Sequence, residues 1–350
     1  GEDAVRARNG SSRHPLKRTN AVDALDRRLL ELAPDSLPSD PDLTDPEQQR
    51  AVRALAEAMG AAAGGEGASA LQEADRRIGV RDDVPVLVRV ALKLAASRAL
   101  LREIAEPTHV SVVFAVYKEH LRILPAAEHP AGEDLVREKL KQLRWLFAPT
   151  PRHSWDLTVV DDGCPEGSGE KIQAILDDFA EAEEEVRVLF LKDAIDNREP
   201  IVEGLASTDD SRKGGSIRLG LWHATQVDRP AALHVAMFTD ADLSTHLGQI
   251  GLLASPLAAG GALAALGSRR EDSSVVVKSG MRNERGKLFV YLWKRLLSPL
   301  EGIIDTQCGF KAFDARKLGP ILAEMWDNGF SFDLELLLRS RLAGEGALTK

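Results

Sequence analysis

The apolar positions of this chain follow two different patterns, and the change between them falls near Pro107. From residue 45 to about 104 the sequence is rich in Ala, Leu and Arg, with apolar residues at helical spacing and a glycine-rich break, AAAGGEGAS, at 61–69. A shorter helix is predicted over 21–32, after a polar and basic tail. We therefore predict a tail and helical region over 1–106, which serves as a packing or homo-oligomerisation surface, and a second domain over 107–350.

After Pro107 the chain alternates between short apolar runs and amphipathic segments. Runs of strand length stand at 110–116, 156–160, 186–191 and 234–240, and helices are predicted over 133–147, 169–181 and 214–226. Repeated strand–helix units predict an α/β domain whose sheet is mostly parallel and covered by helices on both faces. Ligands of such sheets bind beyond the carboxyl ends of the strands, so the polar residues after each strand are the candidates for function.

Composition narrows the class of protein. The 350 residues are 44% hydrophobic and 28% charged, and the formal net charge is -9. This acidic balance argues against general nucleic-acid binding, which needs a clustered basic surface. The two cysteines, Cys164 and Cys308, stand far apart, which indicates a reducing compartment without a disulfide framework or a zinc site. No run reaches the roughly 18 apolar residues of a membrane span, and no signal peptide is evident, so we expect a cytoplasmic protein.

Carboxylates follow two of the predicted strands, and a lysine–glycine turn opens the helix before the last one. Asp161 and Asp162 follow the second strand, Asp240 and Asp242 follow the fourth, and Lys213 precedes two glycines. Two carboxylates spaced i, i+2 after a buried strand can point into one crevice and share a Mg²⁺ or Mn²⁺ ion with substrate phosphates. Taken singly, each motif is also compatible with ordinary loop chemistry or a glycine-rich helix start.

Seven motifs in fixed order say more than any one of them. SVVFAVYKE, LTVVDDGCPEGSG, RKGGSIRLG, MFTDADLS, LGSRR, DTQCGFKAF and FSFDLELL occur between about residues 108 and 340. This ordered set resembles the family 2 glycosyltransferases of the GT-A fold, in particular the branch with the dolichyl-phosphate glucose and mannose synthases. The resemblance implies inverting transfer of a hexose from a nucleotide diphosphate sugar, with UDP-glucose favoured, to a polyprenyl phosphate or a small hydroxyl acceptor.

The resemblance also implies a role for each matching residue. Asp240 and Asp242 would hold the divalent cation, Mn²⁺ or Mg²⁺, and Asp242 counts with Asp333 as catalytic. Asp333 would be the general base for a hydroxyl acceptor, or would orient a phosphate acceptor. The implied acceptor residues are Arg282, Asp305, Gln307 and Glu335. The implied nucleotide-sugar contacts are Ala115, Tyr117, Glu119, Asp161, Asp162, Lys213, Arg218, Asp240, Gly267 and Arg269.

Some features depart from the pattern of this family. Ser244 stands where the mannose synthases often have Gln, and residues 193–212 form a longer, more acidic segment than expected. The basic and aromatic residues of 278–299 predict either an amphipathic helix packed on the sheet or a cationic acceptor edge in peripheral contact with a membrane. The chain starts with Gly rather than Met, which suggests a trimmed fragment, and it ends soon after FDLELL, before the final strand and the membrane helices that some members of the family have. Whether the natural protein continues beyond Lys350 stays open.

Two other functions remain open at this point. A sugar-nucleotide nucleotidyltransferase also binds metal through carboxylates on a similar sheet, but its glycine-rich signature after the first strand is missing, since that strand ends in AVYKEH. A non-catalytic nucleotide-sugar-binding protein is disfavoured because both Asp240 and Asp242 are present.

Overall fold

A seven-stranded sheet forms the centre of the molecule. The computed structural model describes residues 16–34, 37–38, 40–181, 184–276, 297–344 and 346–349. Within them the strands run in the order β3-β2-β1-β4-β6-β5-β7 across the sheet. Their bounds are β1 (Thr108–Val116), β2 (Ser154–Asp161), β3 (Glu185–Phe190), β4 (Leu233–Thr239), β5 (Ala264–Leu266), β6 (Phe310–Asp314) and β7 (Leu348–Thr349).

Strand β1 lies between two parallel neighbours, β2 and β4, and pairs Val112 with Leu157 on one side and Met237 on the other. Only β6 runs against its neighbours among the described strands; it pairs antiparallel with both β4 and β5. The burial of β1 on both faces explains its continuous apolar run, because a parallel sheet is covered by helices on each side. The predicted α/β class with a mostly parallel sheet is confirmed.

Two hydrophobic clusters cover the two faces of the sheet. Val112 belongs to one cluster and Val113 to the other, as expected when successive strand residues point to opposite faces. The helices after β1 are α5 (Leu135–Phe147), α6 (Ser168–Phe179), α7 (Leu191–Asp196), α8 (Gly214–Gln226), α9 (Ile250–Ala258), α10 (Ala315–Glu324) and α11 (Phe332–Leu342). The first cluster contains residues of α5, α6 and α9, and the second contains residues of α8, α10 and α11.

The predicted N-terminal helical region forms four helices with an apolar cluster of its own: α1 (Leu16–Glu31), α2 (Pro46–Ala63), α3 (Gly67–Ile78) and α4 (Val86–Glu103). The Asp45 side chain accepts a hydrogen bond from the Glu47 N–H at 2.7 Å and Pro46 occupies the first turn, a favourable start for α2. The predicted glycine-rich break is a short 3-10 turn, Gly64–Glu66. The division of the chain at residue 106 remains a prediction.

The N-terminal helices pack directly on the α/β part of the chain. A Cβ atom at Gly251 of α9 would lie 2.0 Å from the Ser97 carbonyl oxygen of α4, so the two helices approach each other closely at this glycine. Among the described residues, no helix is both long enough and apolar enough to cross a bilayer.

Candidate active site

The carboxyl ends of β1 and β4 open into a cavity of about 660 Å³. From β1 the sheet continues through β2 and β3 on one side, and from β4 it continues through β6, β5 and β7 on the other. Open α/β sheets bind ligands at such a reversal of strand order. The volume is in the range of small-molecule sites. The lining residues are Ala115, Val116, Tyr117, Glu119, Arg122, Asp162, Thr208, Asp209, Ser211, Arg212, Lys213, Asp240, Ala241, Asp242 and Phe330.

The Asp240–Asp242 turn is held from within the protein by a buried lysine. The Lys139 ammonium donates to the carbonyl oxygens of Asp240 at 3.0 Å and Asp242 at 2.9 Å. The Asp242 carboxylate accepts hydrogen bonds from the Ser244 N–H at 3.1 Å and hydroxyl at 2.5 Å. A Cβ atom at Gly309 would lie only 2.3 Å from Asp240 Oδ1, so a glycine is needed beside this carboxylate. Both carboxylates are therefore fixed at the cavity wall.

Lys139 is fully buried, and its Nζ lies 5.3 Å from the centre of the Phe114 ring. Burial lowers the pKa of Lys139 to about 8, although the charges of Asp242 and Asp240 act in the opposite direction. Lys139 was not among the residues predicted from the sequence. One signal was available, because Lys139 shares the apolar face of α5 with Leu135, Val136, Leu140 and Leu143, which are all buried.

Lys213 connects the two acidic strand ends. Its ammonium forms an ion pair with the Asp240 carboxylate. Its backbone N–H donates to Asp162 Oδ2 at 3.0 Å, and the other oxygen of Asp162 accepts from the Ser216 hydroxyl at 2.6 Å. Asp162, Lys213 and Asp240 thus lie together at the cavity, as their positions after the strands and before α8 predicted.

Asp161 serves the loop after β2 and does not line the cavity. Its carboxylate accepts from the N–H groups of Gly163 at 2.9 Å, Cys164 at 2.8 Å and Gly169 at 2.8 Å. Burial raises the pKa of Asp161, although these three hydrogen bonds act against the shift. The side chain fixes the loop that presents Asp162.

Arg269, which follows β5, and Asp305, which precedes β6, form a second polar group outside the cavity lining. The Arg269 guanidinium and backbone N–H donate three hydrogen bonds to the Asp305 carboxylate at 2.8–2.9 Å. Burial raises the pKa of Asp305, but the hydrogen bonds and charge of Arg269 outweigh it and leave the pKa below its ordinary value. The Gln307 N–H also donates to Asp305, and the Gly267 N–H donates to the Phe310 carbonyl.

Asp333 is buried and forms an ion pair inside the protein. The Lys311 ammonium donates to Asp333 Oδ1 at 2.6 Å and to the Cys308 carbonyl, and Lys311 is fully buried. Burial raises the pKa of Asp333 in spite of the opposing charge of Lys311. Asp333 is 5% exposed and does not line the cavity, and its role as a base remains a prediction.

The side chains of two further predicted site residues form hydrogen bonds with the backbone of the protein. Arg218 is buried and donates to the Leu322 carbonyl at 3.0 Å. The Glu335 carboxylate accepts from the backbone N–H groups of Trp326 at 3.1 Å and Asp327 at 2.7 Å, and pairs with Arg339. Neither residue lines the cavity. Arg282 and most of 278–299 lie outside the described residues.

Part of the cavity wall comes from the segment before α8, which sequence reasoning noted only for its length and acidity. Thr208, Asp209, Ser211 and Arg212 contribute to the lining. A Cβ atom at Gly163 would lie 2.3 Å from the Thr208 hydroxyl, and Gly163 has φ 76°, so this glycine admits the segment against the β2 loop. Phe330, in the loop before α11, was also missed.

The donor set at the Asp240–Asp242 turn fits one type of metal. Mg²⁺ and similar hard cations are held by one or two carboxylates, with substrate phosphates and water completing the coordination. Two carboxylates facing a cavity of this size meet that requirement. Within the described ranges no group of three or more His, Cys, Asp or Glu side chains could hold a metal, so a closed all-protein site is not formed there.

The chain is similar to one glycosyltransferase in sequence. It is 25% identical to the glycosyltransferase AglD of Haloferax volcanii over 240 residues. These 240 residues are 69% of this chain. The matched part is 32% of that protein, so the chain spans about a third of the length of its relative. No protein-family model matches the chain.

The chain has a low level of similarity to several solved structures, among them the following two. Glucosyl-3-phosphoglycerate synthase from Mycobacterium tuberculosis, in complex with Mn²⁺, UDP and phosphoglyceric acid, has a TM-score of 0.41 and 18% identity over 70% of this chain and 66% of its own. Mannosyl-3-phosphoglycerate synthase from Rubrobacter xylanophilus has a TM-score of 0.41 and 16% identity over 64% of this chain and 57% of its own.

Proposed function

We propose that the chain is a metal-dependent glycosyltransferase of the GT-A type that takes a hexose from a nucleotide diphosphate sugar. The observation that carries the proposal is the Asp240–Asp242 turn. Its two residues line a cavity at the strand-order reversal, and Lys139 holds the backbone carbonyl oxygens of both. The sequence similarity to a glycosyltransferase over 240 residues supports the same conclusion.

In this proposal Asp240 and Asp242 hold a Mn²⁺ or Mg²⁺ ion together with the donor diphosphate. A cation held by these two carboxylates would supply positive charge to the departing diphosphate. Lys213 and Arg212 add positive charge to the same wall of the cavity, and Lys139 keeps the carboxylate turn in place. The reaction is a direct displacement at the anomeric carbon with inversion of configuration.

The nucleotide end of the donor would lie against the wall formed by Tyr117, Asp162 and the segment at 208–212. Tyr117 is exposed at this wall and offers a ring for stacking, and Asp162 and Asp209 are hydrogen-bond acceptors for ribose or base. UDP-glucose is the donor we favour, because DTQCGFKAF resembles the glucose-transferring relatives.

The acceptor we favour is a phosphate, polyprenyl phosphate in particular. A hydroxyl acceptor needs a base to remove its proton, and Asp333, the candidate base, is paired with Lys311 outside the cavity lining. A phosphate acceptor is already anionic. Phe330 at the cavity and Trp326 in the same loop are 68% and 79% exposed, which suits contact with an apolar acceptor chain. Cytoplasmic location, peripheral membrane contact and oligomerisation through the N-terminal helices belong to the same proposal.

A thermal-shift panel tests the donor and the metal together. UDP, GDP, UDP-glucose and a nucleoside triphosphate with a sugar phosphate would be compared with and without Mn²⁺. A ligand that binds only the folded protein raises the melting temperature, and we expect the largest rise with UDP-glucose and Mn²⁺. A response to the triphosphate alone would favour a nucleotidyltransferase, and no response to any nucleotide would refute the proposal.

The acceptor is tested with radiolabelled UDP-glucose. A short polyprenyl phosphate and a set of small hydroxyl acceptors would be offered separately, and the products partitioned between organic and aqueous phases. Label in the organic phase alone supports the phosphate acceptor. Label transferred only to hydroxyl acceptors would overturn it and return Asp333 to the role of base.

A further inference from the structure

The backbone of Lys213 is fixed by hydrogen bonds, whereas its side chain is held by an ion pair that is partly open to solvent. The backbone is fixed on two sides: its N–H donates to Asp162, and the neighbouring N–H groups of Arg212 and Gly215 donate to the Asn328 carbonyl at 2.9 and 3.2 Å. Lys213 also has φ 77°, in the left-handed region that non-glycine residues adopt only when their surroundings require it. The position of its Cα atom is therefore set by the fold.

The side chain of Lys213, in contrast, lies in the cavity. Its ion pair with Asp240 is partly open to solvent, with 29% of the lysine side chain and 38% of the aspartate side chain exposed. Solvent-accessible ion pairs contribute little net stability, because water competes for both charges. The ammonium can therefore leave Asp240 at small cost if another partner is offered.

The two lysines at the Asp240–Asp242 turn differ in this respect. Lys139 is fully buried and holds the two carbonyl oxygens, so its charge stays where it is. Lys213 holds a carboxylate oxygen that a divalent cation would need as a ligand. A cation and the Lys213 ammonium cannot both take the same oxygen without strong repulsion between their charges.

We propose, on the basis of the proposed function, that Lys213 is an exchangeable counter-ion of Asp240. Its ammonium competes with the divalent cation for the carboxylate and moves to a diphosphate oxygen of the donor when the cation takes Asp240. Cation binding alone removes a partner from Lys213, whereas binding together with the diphosphate supplies a new one. Metal and nucleotide therefore bind cooperatively, and Lys213 is the residue that couples them.

The test is a thermodynamic cycle on the full chain. The dissociation constant of Mn²⁺ is measured by electron paramagnetic resonance without nucleotide and with saturating UDP, and that of UDP by calorimetry at saturating Mn²⁺. In Lys213→Met we expect Mn²⁺ alone to bind more tightly, by on the order of fivefold or more, and UDP to bind more weakly. The Mn²⁺ dissociation constant without UDP, divided by that with saturating UDP, should therefore be smaller in Lys213→Met than in wild type.

Lys118→Met is the matched control. Lys118 is an exposed lysine in the loop after β1, next to Tyr117, and its ammonium lies over the Tyr117 ring. This variant loses the same charge near the cavity, so the Mn²⁺ ratio should stay close to wild type. Lys213→Arg keeps the charge and should keep most of the coupling, which separates the exchange from any change in folding.

The outcomes distinguish this inference from the function on which it rests. If wild type binds Mn²⁺ and UDP but Lys213→Met leaves the ratio unchanged, or weakens both ligands alike, the exchange is wrong and the glycosyltransferase proposal stands. If wild type binds neither Mn²⁺ nor UDP, both proposals fall. Opposite shifts of the two affinities in Lys213→Met, with the control unchanged, support the exchange.

Discussion

Replacing Asp333 with Asn tests whether this residue supports the fold or the chemistry. Asp333 is the candidate base, and its carboxylate is paired with Lys311, whose side chain is 0% exposed against 7% for Asp333. Lys311 also donates to the Cys308 carbonyl and lies 5.1 Å from the centre of the Phe238 ring. Asn keeps the shape of the side chain and an oxygen that accepts from Lys311, but it removes the negative charge.

The size of the effect follows from the burial of the pair. Removing one member of a buried ion pair leaves an uncompensated charge and costs about 3–5 kcal/mol. Because the amide oxygen of Asn still accepts a hydrogen bond from Lys311, we expect a loss near the lower end, about 3 kcal/mol. This is a large part of the roughly 5–15 kcal/mol by which most proteins are stable.

Urea unfolding followed by circular dichroism measures the loss. Lys311→Met combined with Asp333→Leu removes both charges and should recover most of the stability, since replacing a buried pair with apolar residues is often neutral. If Asp333→Asn stays within about 0.5 kcal/mol of wild type, the pair does not stabilise the fold as argued. A drop of roughly 10²–10⁴ in turnover at unchanged stability would instead identify a general base.

Three further predictions address the metal turn and a buried histidine. Asp242→Asn should remove the Mn²⁺-dependent thermal shift with UDP while leaving the unfolding curve without ligand unchanged; a preserved shift would contradict the metal site. Gly309→Ala should displace the Asp240 carboxylate, since its Cβ would lie 2.3 Å from Oδ1, and weaken Mn²⁺ binding in a titration by roughly 10–100-fold. Burial lowers the pKa of His246 to about 3, below the roughly 6.5 of the unfolded chain. Because the unfolded chain binds the proton first, the free energy of unfolding should decrease as pH falls from about 6.5 towards 3, by up to about 1.4 kcal/mol per pH unit. His246→Asn can still accept from the Gly248 N–H and should show a shallower dependence of urea midpoint on pH; an unchanged slope would refute the assignment.

The parts of the fold that sequence predicted well are those with a local signature. The first strand was predicted over 110–116 and runs Thr108–Val116, and the helix over 214–226 has the bounds predicted for it. Both follow from apolar periodicity within a short window. Strands β5 and β6 were not predicted, because β5 has three residues and β6 lies inside a motif that was noted for its chemistry.

At the site, sequence located the acidic groups but could not show how they are held. Carboxylates after β2 and β4 were placed at one edge because parallel strands end together. The contacts of Lys139 with residues about 100 positions away, and the pairing of Lys311 with Asp333, depend on packing between distant segments. Because of the same packing, the side chains of Asp161, Arg218 and Glu335 form hydrogen bonds with backbone groups and do not line the cavity.

The reversed direction of β6 has a consequence for how this protein can vary. The chain leaves the sheet after β5 and returns before β6 at the same edge, where Arg269 and Asp305 clasp each other. A segment that starts and ends at one point can change in length without moving the strands on either side. The entropic cost of closing such a segment rises slowly, by about 0.6 kcal/mol for each doubling of its length. The two ends of the segment between Arg269 and Asp305 are therefore a place where insertions or deletions would leave the strands and the metal turn in position.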